Sequence, residues 1–331
     1  MHTVANDWLN EQQSRSRATP SKHRFAKGAF KLAVTVGILI YAVNDAARHG
    51  LQDHIRLISP LLGCIALAAF MIIPVFGGLR WWCVLRGMRK PAGSAVTLTM
   101  LFSVATVFGQ ALPSVASDSL RGWLAIKRGY DARATAHAII FERGLMVLAL
   151  LLVLVVTQPL LAARFGPFSA DWIASLLLGI GVGGCVMLVA ADQESLRRRR
   201  LFRPVAQLAA DARCLFTSRW GLLTAVLGII SNAYFTVVAW LLASAIGLNL
   251  SWLDCLAVIP LVTLATTLPI SFGGWGVREG VFVALLGILG VPAGGAFVLS
   301  VLFGVGGALS GLPGFVIWWL DPETVWPGRS A

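Results

Sequence analysis

The sequence predicts an all-α, polytopic transmembrane helical bundle with about six full spans and two re-entrant helical hairpins of opposite orientation. Three observations predict it. Hydrophobic residues make up 57% of the 331 positions and charged ones only 13%, against about a quarter charged in soluble proteins. Apolar runs near the ~20 residues that a span requires recur along the chain. Most of the basic residues behind the net charge of +12 fall between those runs, a pattern that reports topology and anionic lipid headgroups rather than nucleic acid.

Residues 1–27 are polar and carry Arg15, Arg17, Lys22, Arg24 and Lys27. A signal peptide would place an apolar core earlier and follow it with a small-residue cleavage site, so this segment reads as a disordered basic cytoplasmic tail. Residues 28–320 then form one transmembrane domain, and 321–331 a short C-terminal tail. The spans are 31–46, 58–79, 134–161, 172–191, 220–246 and 295–320, the first adequate only with polar flank. Trp81, Trp82, Trp172, Trp220, Trp252, Trp318 and Trp319 stand at their ends, where amphipathic rings prefer the headgroup level.

Two apolar regions are broken. Residues 96–112 end at Pro113 and run into Ser114-Val115-Ala116-Ser117-Asp118-Ser119-Leu120-Arg121; residues 255–268 end at Pro269 and pass through a glycine-rich turn into 281–291. That last run of 11 residues is about 16 Å long, half the hydrocarbon thickness. Charge selects between topologies. The connections 80–90, 121–133 and 192–219 are strongly basic, whereas 164–171 and 247–251 are charge-poor. With 96–126 as a hairpin that enters and returns, every basic connection is cytoplasmic, as are both termini. The same count makes 255–291 a second hairpin, opening to the other side. Eight conventional spans are the alternative. Irregular backbone at membrane depth must be buried in protein or line a wet cavity, so both proline-marked tips are candidate working sites.

The second tip carries Gly273, Gly274 and Gly276 ahead of Arg278 and Glu279. The glycines allow close backbone approach and positive φ. A helix starting near Gly276 would aim its first N–H groups and positive dipole end into the tip, and Arg278 adds a fork of donors suited to phosphate. The plainer reading is that Arg278 and Glu279 neutralise each other, although adjacent helical residues do not face one another. At the first tip, Asp118 and Arg121 share a helix face at i, i+3; alternatively Ser117 or Asp118 is an N-cap and Arg121 is solvated. Glu142 and Arg143 interrupt the apolar run 134–161, either deep in the core or snorkelling at its edge.

Other motifs point away from chemistry. The Gly179/Gly183 and Gly307/Gly311 pairs fit close helix packing. No nucleotide loop, HExxH or paired-aspartate cluster occurs, so no cofactor or metal is expected. His137 is the only histidine in an apolar run and fits a packed, hydrogen-bonded group; Ser271 has no histidine after it to serve as base. Cys64, Cys83, Cys185 and Cys255 read as small apolar fillers and Cys214 as a free thiol in a loop.

Three stretches carry a resemblance: Gly109-Gln110-Ala111-Leu112-Pro113 through Arg121, Phe141-Glu142-Arg143-Gly144, and Leu268-Pro269 with Gly273-Gly274-Trp275-Gly276-Val277-Arg278-Glu279. Together they resemble the transmembrane, flippase-like domain of lysylphosphatidylglycerol synthetases, in its stand-alone form without the synthetase domain. The family's first motif usually has Gly-Gly-Asp where Ala116-Ser117-Asp118 stands here, which keeps the acid and loses the glycines. The resemblance implies a non-enzymatic plasma-membrane protein that moves an amphipathic lipid between leaflets: a phospholipid, a hopanoid-type lipid or a polyprenyl-linked one. Its expected partners are membrane lipids, with lipid-synthesis enzymes as further candidates and no nucleic acid. Asp118, Arg121, Glu142, Arg143, Gly273, Gly274, Gly276, Arg278 and Glu279 are the expected headgroup-binding residues, and movement would be downhill or ion-coupled. A membrane enzyme or scaffold in lipid or envelope synthesis is the alternative.

Overall fold

The computed structural model describes residues 59–109, 114–166, 179, 203–267, 271 and 274–320. The expected spans 31–46 and 172–191 lie outside these residues save for position 179, as do Pro113, Pro269, Gly273 and Cys185.

The described residues are helical. Helices α1 (Pro60–Phe70) and α2 (Ile73–Gly87) form one apolar unit of 28 residues. The joint between them follows from Pro74, which has no N–H to offer Phe70; Met71 and Ile72 instead donate three residues back, to Ala68 and Ala69. Next come α3 (Ala95–Gly109), α4 (Ser114–Lys127) and α5 (Ala132–Val156), the last capped by Asp131, which accepts from Ala134 N at 2.7 Å. Short α6 (Gln158–Phe165) and amphipathic α7 (Arg203–Phe216) precede α8 (Arg219–Ala245), capped by Ser218. Helices α9 (Trp252–Thr267), α10 (Val277–Ile288), α11 (Ala293–Leu309) and α12 (Leu312–Leu320) complete the chain. Four units of 25 to 28 residues are long and apolar enough to cross a membrane: α1 with α2, α5, α8, and α11 with α12.

Contacts between connections define two ends of the bundle. At one, Tyr130 Oη donates to Ala92 O at 3.2 Å, Lys90 pairs with Asp211 at 3.1 Å, and Gly87 packs on Leu215 and Ser218. The three basic connections therefore meet there. At the other, Ser59 N donates to Ala245 O at 2.7 Å and Arg164 pairs with Asp254 at 3.1 Å. The α3–α4 hairpin leaves and rejoins the basic end, because residues 92–93 and Tyr130 touch. The α9–α10 hairpin starts at the opposite end, beside the end of α8. It must return there, because α11 and α12 run from α10 towards the basic end: Gly311 lies against Ser103 and Gly314 against Met100, one turn nearer the start of α3. Limbs of 15 and 12 residues in α3 and α10 are about 22 and 18 Å long, short of the ~30 Å core. This is a polytopic helical membrane bundle with two opposed hairpins, not eight equivalent spans.

Close backbone approach holds α3 in place. A Cβ on Gly78 would come within 2.3 Å of Thr99 Cα, and one on Gly311 within 2.5 Å of Ser103 O. The two largest apolar clusters of the core lie one around Trp81, Leu98 and Leu101 towards the basic end and one around Phe70, Phe282 and Val258 towards the other.

Several expectations need correction. The 58–79 span continues to Gly87, so Arg80 belongs to a helix and not to a cytoplasmic connection. Trp81 is fully buried and no interface anchor, whereas Trp252 and Trp319 are exposed. The basic connection 192–219 contains α7, whose Ala206, Ala209, Ala212 and Leu215 face is buried. Cys214 sits on that helix, half-buried, and Cys64 is exposed rather than a filler.

Candidate functional site

Both hairpins border a single cavity of about 530 Å³. Ser117, Asp118 and Arg121 of α4 line it, as do Ser271, Gly274 and Arg278 from the second tip. Phe70, Phe102 and Phe303 contribute apolar wall. The cavity thus joins a charged floor to aromatic sides where the two core clusters meet.

Helix α4 starts at Ser114, so Asp118 lies inside the helix and the N-cap reading of Ser117 or Asp118 does not hold. Arg121 Nε donates to Asp118 Oδ1 at 3.0 Å across one turn, as i, i+3 spacing allows. Arg121 is only 1% exposed, not solvated. Its Nη2 donates to Glu142 Oε2 at 2.8 Å, and its guanidinium stacks over Trp81 at 5.2 Å and Phe102 at 4.9 Å. Its Nη1 is buried with no hydrogen-bond partner among the described residues.

Glu142 is also 1% exposed, deep in the bundle rather than at its edge. Its second oxygen accepts from Arg80 Nε at 3.1 Å and Nη2 at 2.9 Å. Arg80 Nη1 donates to Ser231 Oγ of α8 at 2.7 Å. Arg143 clamps Asp118 with two donors, Nε to Oδ2 at 2.8 Å and Nη2 to Oδ1 at 2.9 Å, while its side chain stays 41% exposed. Three arginines and two carboxylates from α2, α4 and α5 therefore form one network, with a spare positive charge. A buried charge is tolerated only when paired and hydrogen-bonded, and here the pairing is one anion short.

The second tip is arranged differently. Gly274 and Gly276 take φ of +79° and +85°, left-handed values that glycine adopts without strain. Glu279, at the third position of α10, folds back to accept from Gly276 N–H. It therefore occupies an N–H of the turn that the anion-site expectation left open. The same carboxylate accepts from Arg278 Nη2 at 2.8 Å, Arg278 Nε at 3.1 Å and Ser300 Oγ at 3.2 Å. Sequence neighbours do pair here, because at a helix N-terminus the carboxylate turns back along the first turn and the guanidinium can wrap to meet it. Arg278 also stacks on Trp275 at 4.4 Å. The guanidinium fits only because residue 304 is glycine: a Cβ there would stand 2.0 Å from Arg278 Nη2.

The structure thus brings Asp118, Arg121, Glu142, Arg143, Gly274 and Arg278 to one cavity, with Gly276 and Glu279 immediately behind. Sequence reasoning missed Arg80, Ser231, Ser300 and Gly304. For Arg80 a signal existed: the apolar run resumes at once as Trp81-Trp82-Cys83-Val84-Leu85, which places Arg80 within a span. Ser231, Ser300 and Gly304 carry no such local sign. His137 lies away from the cavity, its Nδ1 2.8 Å from Asp211 Oδ2, the hydrogen-bonded group expected. Gly311 packs closely as expected, whereas Gly307 lines the cavity.

No curated protein and no solved structure matches this chain. A family model does, over residues 28–326, which takes in every helix described above. Nearly the whole chain is thereby accounted for, and it belongs to the family of the lysylphosphatidylglycerol synthase TM region, a membrane-embedded family tied to lipid or cell-envelope biology.

Proposed function

We propose that the chain is a non-enzymatic translocator of an amphipathic lipid, whose phosphate-bearing headgroup enters the cavity between the two hairpin tips while its tails stay in the bilayer. The observation that carries this reading is the charge of the cavity. Arg80, Arg121, Arg143 and Arg278 face three carboxylates, Asp118, Glu142 and Glu279, and Arg121 Nη1 has no partner among the described residues. One phosphodiester would supply the missing charge and acceptor together. The mix of aromatic wall and charged floor suits a molecule with two chemistries, and opposed hairpins suit alternating access. On this reading residues 28–320 act as one domain of the plasma membrane with both termini cytoplasmic, since the basic end is the inner one.

The test is reconstitution of the full chain in liposomes with fluorescent phospholipids, polyprenyl phosphates and hopanoid-type lipids. At least one phosphate-bearing lipid is expected to cross faster than in protein-free vesicles. Arg121→Gln should slow it about tenfold, the scale of one lost charge-assisted hydrogen bond. Movement unchanged in both Arg121→Gln and Arg278→Ala would overturn the reading.

A further inference from the structure

A second cavity, of about 570 Å³, lies at the basic end, apart from the first. It lies between the connections on either side of the α3–α4 hairpin. Tyr130 Oη donates to Ala92 O at 3.2 Å, which holds the two connections together, and Trp82 Nε1 of α2 donates to Gly93 O at 3.2 Å. Ser94, Thr97, Arg128, Asp131 and Thr135 line it.

Three features of this cavity point the same way. The helices α3 and α5 both begin at its wall and turn their positive dipole ends towards it, although Ser94 Oγ takes the Val96 N–H at 3.2 Å and Asp131 Oδ1 the Ala134 N–H at 2.7 Å. Thr135 is 1% exposed, and its hydroxyl has no hydrogen-bond partner among the described residues. Arg128 Nε is likewise buried without a partner. Buried donors left unmatched cost about 1–3 kcal/mol each, so two of them beside two helix N-termini describe a place for an acceptor-rich ligand. Asp131 is itself engaged as the cap of α5, its Oδ1 committed to Ala134 N–H at 2.7 Å.

We infer that this cavity is a binding site for a phosphate oxyanion, held by Arg128, the Thr135 hydroxyl and the first turns of α3 and α5, separate from the central cavity. The same chemistry is offered by an anionic phospholipid headgroup and by free phosphate. Its position between connections rich in arginine and lysine suits either. By bridging the two connections that anchor the first hairpin, the ligand would stiffen the base from which that hairpin rises.

The full chain in detergent is titrated with short-chain phosphatidylglycerol, with short-chain phosphatidylcholine and with inorganic phosphate, and its Tm is followed. An oxyanion ligand raises Tm in a saturable way. The midpoint concentration should rise about tenfold in Arg128→Gln and in Thr135→Val, one charge-assisted contact or one hydroxyl contact being lost. Thr135→Ser keeps the hydroxyl and should bind as the wild type does, which separates lost binding from damaged folding. A response to phosphatidylglycerol alone assigns the site to a headgroup, and a response to phosphate as well assigns it to the free ion. Wild-type midpoints in both Arg128→Gln and Thr135→Val would overturn the inference.

Discussion

The two hairpin tips hold arginine against carboxylate in opposite ways. At the first, Arg121 is shared between Asp118 and Glu142, Glu142 is shared between Arg80 and Arg121, and Arg143 reaches Asp118 from the next helix. Every pair there joins residues whose separation in the chain differs, and a donor is left over. At the second, Arg278, Glu279 and the Gly276 N–H close on themselves within one helical turn, with Ser300 as the outside support. The first tip is an open network that a ligand can enter by trading partners. The second is a neutral, pre-set corner that shapes the cavity. A charged motif near a membrane-buried turn is thus not enough to identify a binding group; what matters is whether its charges are satisfied locally.

Four substitutions break or sharpen that contrast. The largest effect is expected from Glu142→Ala, which strands Arg80 and Arg121 in the bundle and should cost about 3–5 kcal/mol of stability. Unfolding in detergent checks it, and a lesser loss from Glu142→Gln would confirm that charge matters beyond packing. Gly304→Ala should come next. Its methyl displaces the Arg278 guanidinium from Glu279, at about 1–3 kcal/mol, and Arg278→Ala in the same chain should relieve most of that loss in a double-mutant cycle. Ser300→Ala removes one of several donors to Glu279 and should cost about 1 kcal/mol, read as a small drop in Tm. Arg143→Lys should be smallest, under about 1 kcal/mol, because its side chain opens into the cavity and its pairing is screened. Its stability effect should be outweighed by slower lipid movement, since lysine cannot reproduce the two-donor clamp on Asp118.

Much of this architecture was legible in the chain. The hairpins could be inferred because short limbs and basic connections together favour them over eight conventional spans, and the contact of Tyr130 with residues 92–93 agrees. Asp118 with Arg121 was legible from helical spacing, a local property. Arg80 could have been placed in a span from the apolar residues after it, but its role in the network could not be read, because its partners Glu142 and Ser231 are 62 and 151 residues away. The pairing of Arg278 with Glu279 was discounted by a rule for helix interiors that a helix N-terminus escapes. Helix α7 was hidden by the arginines around it, although Ala206, Ala209, Ala212 and Leu215 recur every three residues.

The central claim is that a lipid headgroup passes between the two tips. Photo-crosslinking tests it most directly: a phospholipid with a photoreactive headgroup is irradiated with the full chain in membranes, and adducts are mapped by mass spectrometry. The account predicts adducts within both 114–121 and 271–278, reduced together by Arg121→Gln. Adducts confined to outward helix faces such as those of Leu61, Val156 and Trp319, with none at either tip, would contradict it.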